Sequence, residues 1–185
     1  MTATVKKSSR REFKGFTLQF PEAEIKYWAS KYRLKDDAAL AAGKKIVADN
    51  YNRKDLGAIV SWKSGRRAAL LAKNSDAELA EALRIAVHAK ERRTALAVLI
   101  GLNGVMLPMA SAILTAINPM KYTVVDFRAM AALGAPDVDY YNLNFYLTEY
   151  LPQCQRLALN NGVDMRTVDR ALWSWSADNG IENKV

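Results

Sequence analysis

Over most of this chain apolar residues recur every three to four positions, the spacing of helices that bury one face. The exception comes early, where Phe16, Leu18 and Phe20 alternate with Thr17 and Gln19 and predict a short extended segment. Ile25, Trp28, Ala29 and Tyr32 then predict an amphipathic helix from Pro21 to about Arg33, with proline suited to its first turn. Asp36 and Asp37 open a second helix, with Leu40, Gly43 and Val47 on one face and Lys44 and Lys45 on another. Asp55 is the expected cap of a third, running from Leu56 through Trp62 to Ser64 and Gly65. Ser75 followed by Glu78 is a capping box for a helix through Leu79, Leu83 and Val87. Leu143, Leu147, Tyr150, Cys154 and Leu157 describe one long helix that must accommodate Pro152 and stops at Gly162. Asp164 caps the last, which carries Met165, Val168, Leu172 and Trp175. No second strand and no internal repeat is visible, so the expected class is all-α, about ten short helices on short loops.

One stretch competes with that reading. Thr94 to Met120 is 27 residues without a charge, and about 20 apolar residues suffice to cross a bilayer. Its punctuation argues for a folded hairpin instead. Gly101, then Asn103 and Gly104, mark a tight turn, and Pro108 suits the start of a new helix better than the middle of an old one. The run therefore splits into a helix ending near Ile100 and a second carrying Ala110, Ile113, Leu114 and Ile117, each too short to span, and no membrane association is expected.

Composition narrows the chemistry. With 185 residues the chain suits one domain, and with Cys154 and His88 the only residues of their types it can make no intramolecular disulfide and no conventional zinc or iron-sulfur site. No metal and no cofactor is expected, and a histidine-dependent triad would hang on His88 alone. The net charge of +8 favours a polyanionic partner. The basic stretch from Val5 to Lys14 is no secretory signal; it reads as a solvated tail, with a phosphate-binding arm as the alternative. A cytoplasmic monomer is expected.

The hairpin Leu102-Asn103-Gly104-Val105-Met106, the small Ala110 and the spacing from there to Asp126 resemble the helix-hairpin-helix (HhH-GPD) DNA glycosylase superfamily, which includes endonuclease III and the adenine-mismatch and alkylbase glycosylases. Tyr122 to Arg128 resembles the apolar approach to the family's aspartate, and Leu56 to Arg66 is weakly similar to the segment that enters the DNA stack. The detailed likeness covers about Leu96 to Gly134. It implies a fold of two helical subdomains, one spanning 35–134 with the hairpin, the other 1–34 together with 135–185, and an active site between them. Two departures matter: Met106 replaces the hairpin's second glycine, and Pro108 stands where bifunctional members carry their Schiff-base lysine. The resemblance thus implies a monofunctional glycosylase that flips a modified or damaged base from double-stranded DNA, hydrolyses its N-glycosidic bond and leaves an abasic site without a lyase step. The role would be repair, or defence against phage DNA with hypermodified cytosine such as glucosylated hydroxymethylcytosine. A non-enzymatic hairpin DNA-binding protein is the alternative.

Asp126 is the candidate catalytic residue. Breaking an N-glycosidic bond builds oxocarbenium character on the sugar, which a carboxylate stabilises while orienting water. An Asp at that place also caps the helix from Phe127 to Leu133, a compatible role that fixes and ionises it. Candidate DNA contacts are Gly104, Val105, Met106 and Met109 through the hairpin, and Lys121, Arg128, Lys63 and Arg66 through charge. Candidate walls of a base pocket are Trp28, Tyr51, Trp62, Tyr140, Tyr141 and Asn142. Trp173 and Trp175 read as core and as interface between helical layers.

Overall fold

The computed structural model describes residues 13–182, in which every regular element is helical. In chain order these are α1 (Ile25–Ser30), α2 (Asp37–Val47), α3 (Arg53–Ser64), α4 (Ala68–Leu71), α5 (Asp76–His88), α6 (Arg92–Ile100), α7 (Leu107–Ile117), α8 (Phe127–Ala132), α9 (Leu143–Phe145), α10 (Leu151–Asn160) and α11 (Met165–Asp178). The basic N-terminal stretch lies almost wholly outside the described residues. The uncharged run folds as the hairpin of α6 and α7, and no helix among the described residues is long and apolar enough to cross a membrane.

Two groups of helices pack around the interior. In one, α2 lies on α3 and α7, and α6 on α5 and α7; in the other, α11 lies on α1, α8 and α10. The first group owes its closeness to Gly43. A Cβ there would stand 1.9 Å from the carbonyl oxygen of Ala116, so α2 approaches α7 backbone to backbone. The buried face of α2 is Ala39, Ala42, Gly43 and Ile46, while Val47 is 49 % exposed. The expected Leu40, Gly43, Val47 stripe is corrected by that contact, which turns the smallest side chains toward α7. Helix α8, expected with the hairpin group, packs on α11 instead, so the change of group falls near Asp126 and not at Gly134.

The capping chemistry follows the sequence with one shift. Ser75 and Glu78 form the capping box of α5, and the Asp164 side chain accepts from Thr167 N at 2.7 Å. Helix α3 begins earlier than expected, at Arg53, because the Asn52 side chain caps it by accepting from Asp55 N, leaving Asp55 in the first turn. From Leu143 to Asn160 the chain is continuously helical, with a π turn at Tyr146–Tyr150 just before Pro152. Proline has no N–H for the carbonyl four residues back and crowds it, and a widened turn relieves both. The alternating segment from Phe16 to Phe20 pairs with a helix end in place of a strand, Thr17 N and Gln19 N donating to the carbonyls of Leu133 and Ala132 at 3.0 and 2.9 Å. This closes off α8, where Gly134 turns with φ +69°.

Candidate active site

Between the two helix groups runs a cleft of about 500 Å³, walled by the end of α3, the α6–α7 hairpin, the start of α8 and the inner face of α11. Among the described residues five cationic side chains line it, Lys63, Arg66, Arg67, Arg128 and Arg166, against two carboxylates, Asp126 and Asp169.

Asp126 is held from three directions. Its own segment, Thr123 to Val125, is buried yet non-helical, so its backbone groups need side-chain partners. The Tyr146 hydroxyl donates to the Thr123 carbonyl at 2.8 Å, that of Tyr150 to the Val124 carbonyl at 2.5 Å, and Val125 N donates to Ser111 Oγ at 3.1 Å. Both tyrosines are fully buried and stacked at 5.8 Å, and burial pushes their hydroxyls far up, so they remain donors throughout the accessible pH range. Asp126 then caps α8, Oδ1 accepting from Ala129 N at 3.0 Å. From across the cleft Lys63 Nζ donates to Oδ2 at 2.5 Å, with only 16 % and 13 % of the two side chains exposed. Burial alone would raise this carboxyl; the Lys63 ammonium and the N–H groups of Ala129 and Arg128 outweigh it and hold it below the usual carboxylate range. Asp126 is thus an oriented anion in a largely dry site.

The hairpin forms the opposite lip. Gly104 has φ +83° and a Cβ there would lie 2.6 Å from Leu70 Cβ, so glycine is required twice over. Asn74, 4 % exposed, pins the turn: its Oδ1 accepts from Asn103 N at 2.8 Å and its Nδ2 donates to the Asn103 carbonyl at 3.1 Å. Among the described residues the N–H groups of Gly104, Met106 and Leu107 have no hydrogen-bond partner, which leaves them available to an anion at the start of α7. Met109 lines the cleft but its N–H is already used, bonded to the Met106 carbonyl at 2.9 Å, and Val105 is buried with its N–H on Leu102, so neither of these two N–H groups is free for a phosphate as expected.

Other expected site residues separate in the same way. Lys63, Arg66, Trp62, Tyr140 and Tyr141 line the cleft; Arg67, which the sequence reading passed over, stands beside Arg66. Neither Arg66 nor Arg67 makes an ion pair among the described residues. Arg128 reaches the cleft, but its guanidinium donates to the Ile181 carbonyl at 2.7 Å and stacks on Phe127 and Trp173. Lys121 lies away from the cleft, over the Tyr122 ring. Trp28 packs on Phe20 and donates to Glu24, Tyr51 bonds to Asp49 and His88 on another face, and Asn142 caps α9, so none of the three lines the cleft. These positions were expected there from residue type alone, and packing took them elsewhere.

Behind the cleft lies a buried polar cluster. Arg166 donates to Asp36 through Nε at 2.9 Å and Nη2 at 2.6 Å, and contacts Asp169 through Nη1. Its Nη2 also donates to the Tyr32 hydroxyl at 2.8 Å, and its guanidinium carbon lies 4.9 and 5.0 Å from the ring centres of Tyr32 and Trp62. Trp62 therefore belongs to a rigid wall and is no free wedge. Arg170 adds a second cation on Asp36. The chain matches no protein-family model, no curated protein and no solved structure. What it does must be inferred from this cleft.

Proposed function

We propose that the chain is a DNA N-glycosylase of hydrolytic type, built on the two-subdomain helix-hairpin-helix plan, acting on double-stranded DNA as a monomer and without a cofactor. The observation that carries the reading is Asp126: a carboxylate kept ionised by a helix start and an ammonium, in a cation-rich cleft faced by a hairpin with free N–H groups. Arg66, Arg67 and the hairpin hold phosphates; the aromatic rings of Trp62 and Tyr140 offer flat surfaces to a flipped base. As the C1′–N bond breaks, its electron pair leaves with the base. Positive charge on the sugar is stabilised by Asp126, a water oxygen bonds to C1′, and the water's proton passes to the carboxylate.

Pro108 supplies no amine at the hairpin. Among the described residues Lys63 is the one lysine lining the cleft, and its ammonium is committed to Asp126, so it serves as counterion and the product is an intact abasic strand. The test is incubation with duplexes carrying candidate modified bases, followed by chemical cleavage of abasic sites. Product with the native protein, and its loss in Asp126→Asn with DNA affinity retained, supports the reading. DNA binding without product from any duplex favours the non-enzymatic alternative.

A further inference from the structure

The mechanism uses Asp126 and leaves the other carboxylate of the cleft without a task. Asp169 is 4 % exposed and lines the same cavity. One of its oxygens, Oδ2, takes Arg166 Nη1, while Oδ1 accepts no hydrogen bond from any described residue. Arg166 is itself immobilised by two bonds to Asp36, one to the Tyr32 hydroxyl and its contacts with the Tyr32 and Trp62 rings. Asp169 is therefore fixed in place, pointing acceptor capacity into a space that a base would enter. Burial pushes its carboxyl up to about 6 against the pull of Arg166; Asp126 adds to the rise and Lys63 opposes it. Its ion pair with the Arg166 guanidinium keeps it an acceptor, with Oδ1 short of donors.

A buried carboxylate discriminates between base edges. It presents acceptors only, so each lone pair set against it goes unpaired and costs free energy. Adenine and cytosine place a bare ring nitrogen beside their amino group. Uracil and thymine flank a single N–H with two carbonyls. Guanine alone offers two adjacent donors, N1–H and the 2-amino group, and those satisfy a carboxylate. Resting on the glycosylase reading above, we infer that Asp169 is the residue that selects the flipped base, and that the base it selects carries a guanine-type Watson–Crick edge, making an oxidised or alkylated guanine the substrate class in place of a modified cytosine.

The experiment compares two duplexes whose single modified base is 8-oxoguanine or 8-oxohypoxanthine, identical except for the 2-amino donor on that edge. Affinities are read by fluorescence anisotropy with Asp126→Asn, and base release is read with the native protein, with 5-hydroxymethylcytosine as a further substrate. 8-Oxoguanine is expected to bind more tightly, by about tenfold or more, than 8-oxohypoxanthine, which lacks the 2-amino donor. In the Asp126→Asn, Asp169→Asn double variant the spread collapses. The substrate series itself needs no change at Asp169, so a poorly folded double variant does not spare the proposal. Asp126-dependent release of 5-hydroxymethylcytosine with no preference between the two purines overturns the inference and leaves the glycosylase standing. No release and no preference from any duplex overturns both.

Discussion

The contact of α2 with α7 and the seam where α8 meets α11 solve the same problem, joining two helices, in opposite ways. In the first, small side chains let backbones touch; Gly43 and Ala116 meet with no polar side chain between them. In the second, the surroundings hold Asp126, Asp169, Arg166 and Lys63, all largely out of water. The apolar contact fixes where the hairpin stands, and its worth is steric. The polar seam is costly to bury unless every charge is paired, and here it is paired through Asp36 and Arg170 as well. The proposed function draws on the seam because a group with a tuned charge has to be built from neighbours, whereas position alone can be built from packing.

That contrast can be broken or sharpened by substitution. The largest effect is expected from Asp126→Asn, which should lower single-turnover base release by about a thousandfold, or about 4 kcal/mol in the barrier, and should also lower the unfolding temperature, because the Lys63 ammonium is left without its carboxylate in a largely buried place. Gly43→Ala should cost about 3 kcal/mol in urea unfolding, because either the α7 backbone or the new Cβ has to move. Its pH-rate profile should keep its shape, since no charge is disturbed; a shifted profile would tie the two regions together. Asn74→Ala should cost about 2 kcal/mol and weaken DNA affinity by loosening the hairpin turn.

Lys63→Met tests the seam by sign. In the native protein Asp126 is held below its ordinary range, so the stability it contributes is present above that range and is lost as pH falls through the lowered value. Without the ammonium, burial dominates and the carboxyl titrates higher. The acid limb of the pH-rate profile should move to higher pH, and an unmoved limb would deny the coupling. The smallest signal expected is none at all: borohydride reduction in the presence of abasic DNA should trap no covalent adduct. An adduct mapped to Lys63 would turn the counterion into a nucleophile and make the proposed activity bifunctional.

Much of the helix plan was legible in the chain. The capping box at Ser75, the caps at Asp126 and Asp164 and the break of the uncharged run at Asn103 and Gly104 are local chemistry, decided within a few residues. The face of α2 was read one position off because its orientation is set by α7, more than sixty residues away. The site was legible only in part. Asp126 stands in the cleft, yet its partner Lys63 lies 63 positions earlier, and nothing in either neighbourhood announces the other. Tyr146, Tyr150 and Asn74 read as ordinary packing or loop residues, although they hold the backbone that aims the acid and the hairpin. Asp169 sits on an amphipathic helix where an acid is usually solvated.

Alone, then, the sequence determined the helical class, most helix ends and the hairpin, because backbone N–H and C=O groups find their partners within a turn or two. Only the tertiary structure decided which charges share the cleft, which aromatic residues wall it and which carboxylate is left short of donors. Those depend on desolvation and on pairs far apart in the chain, and a linear pattern of residue types contains neither.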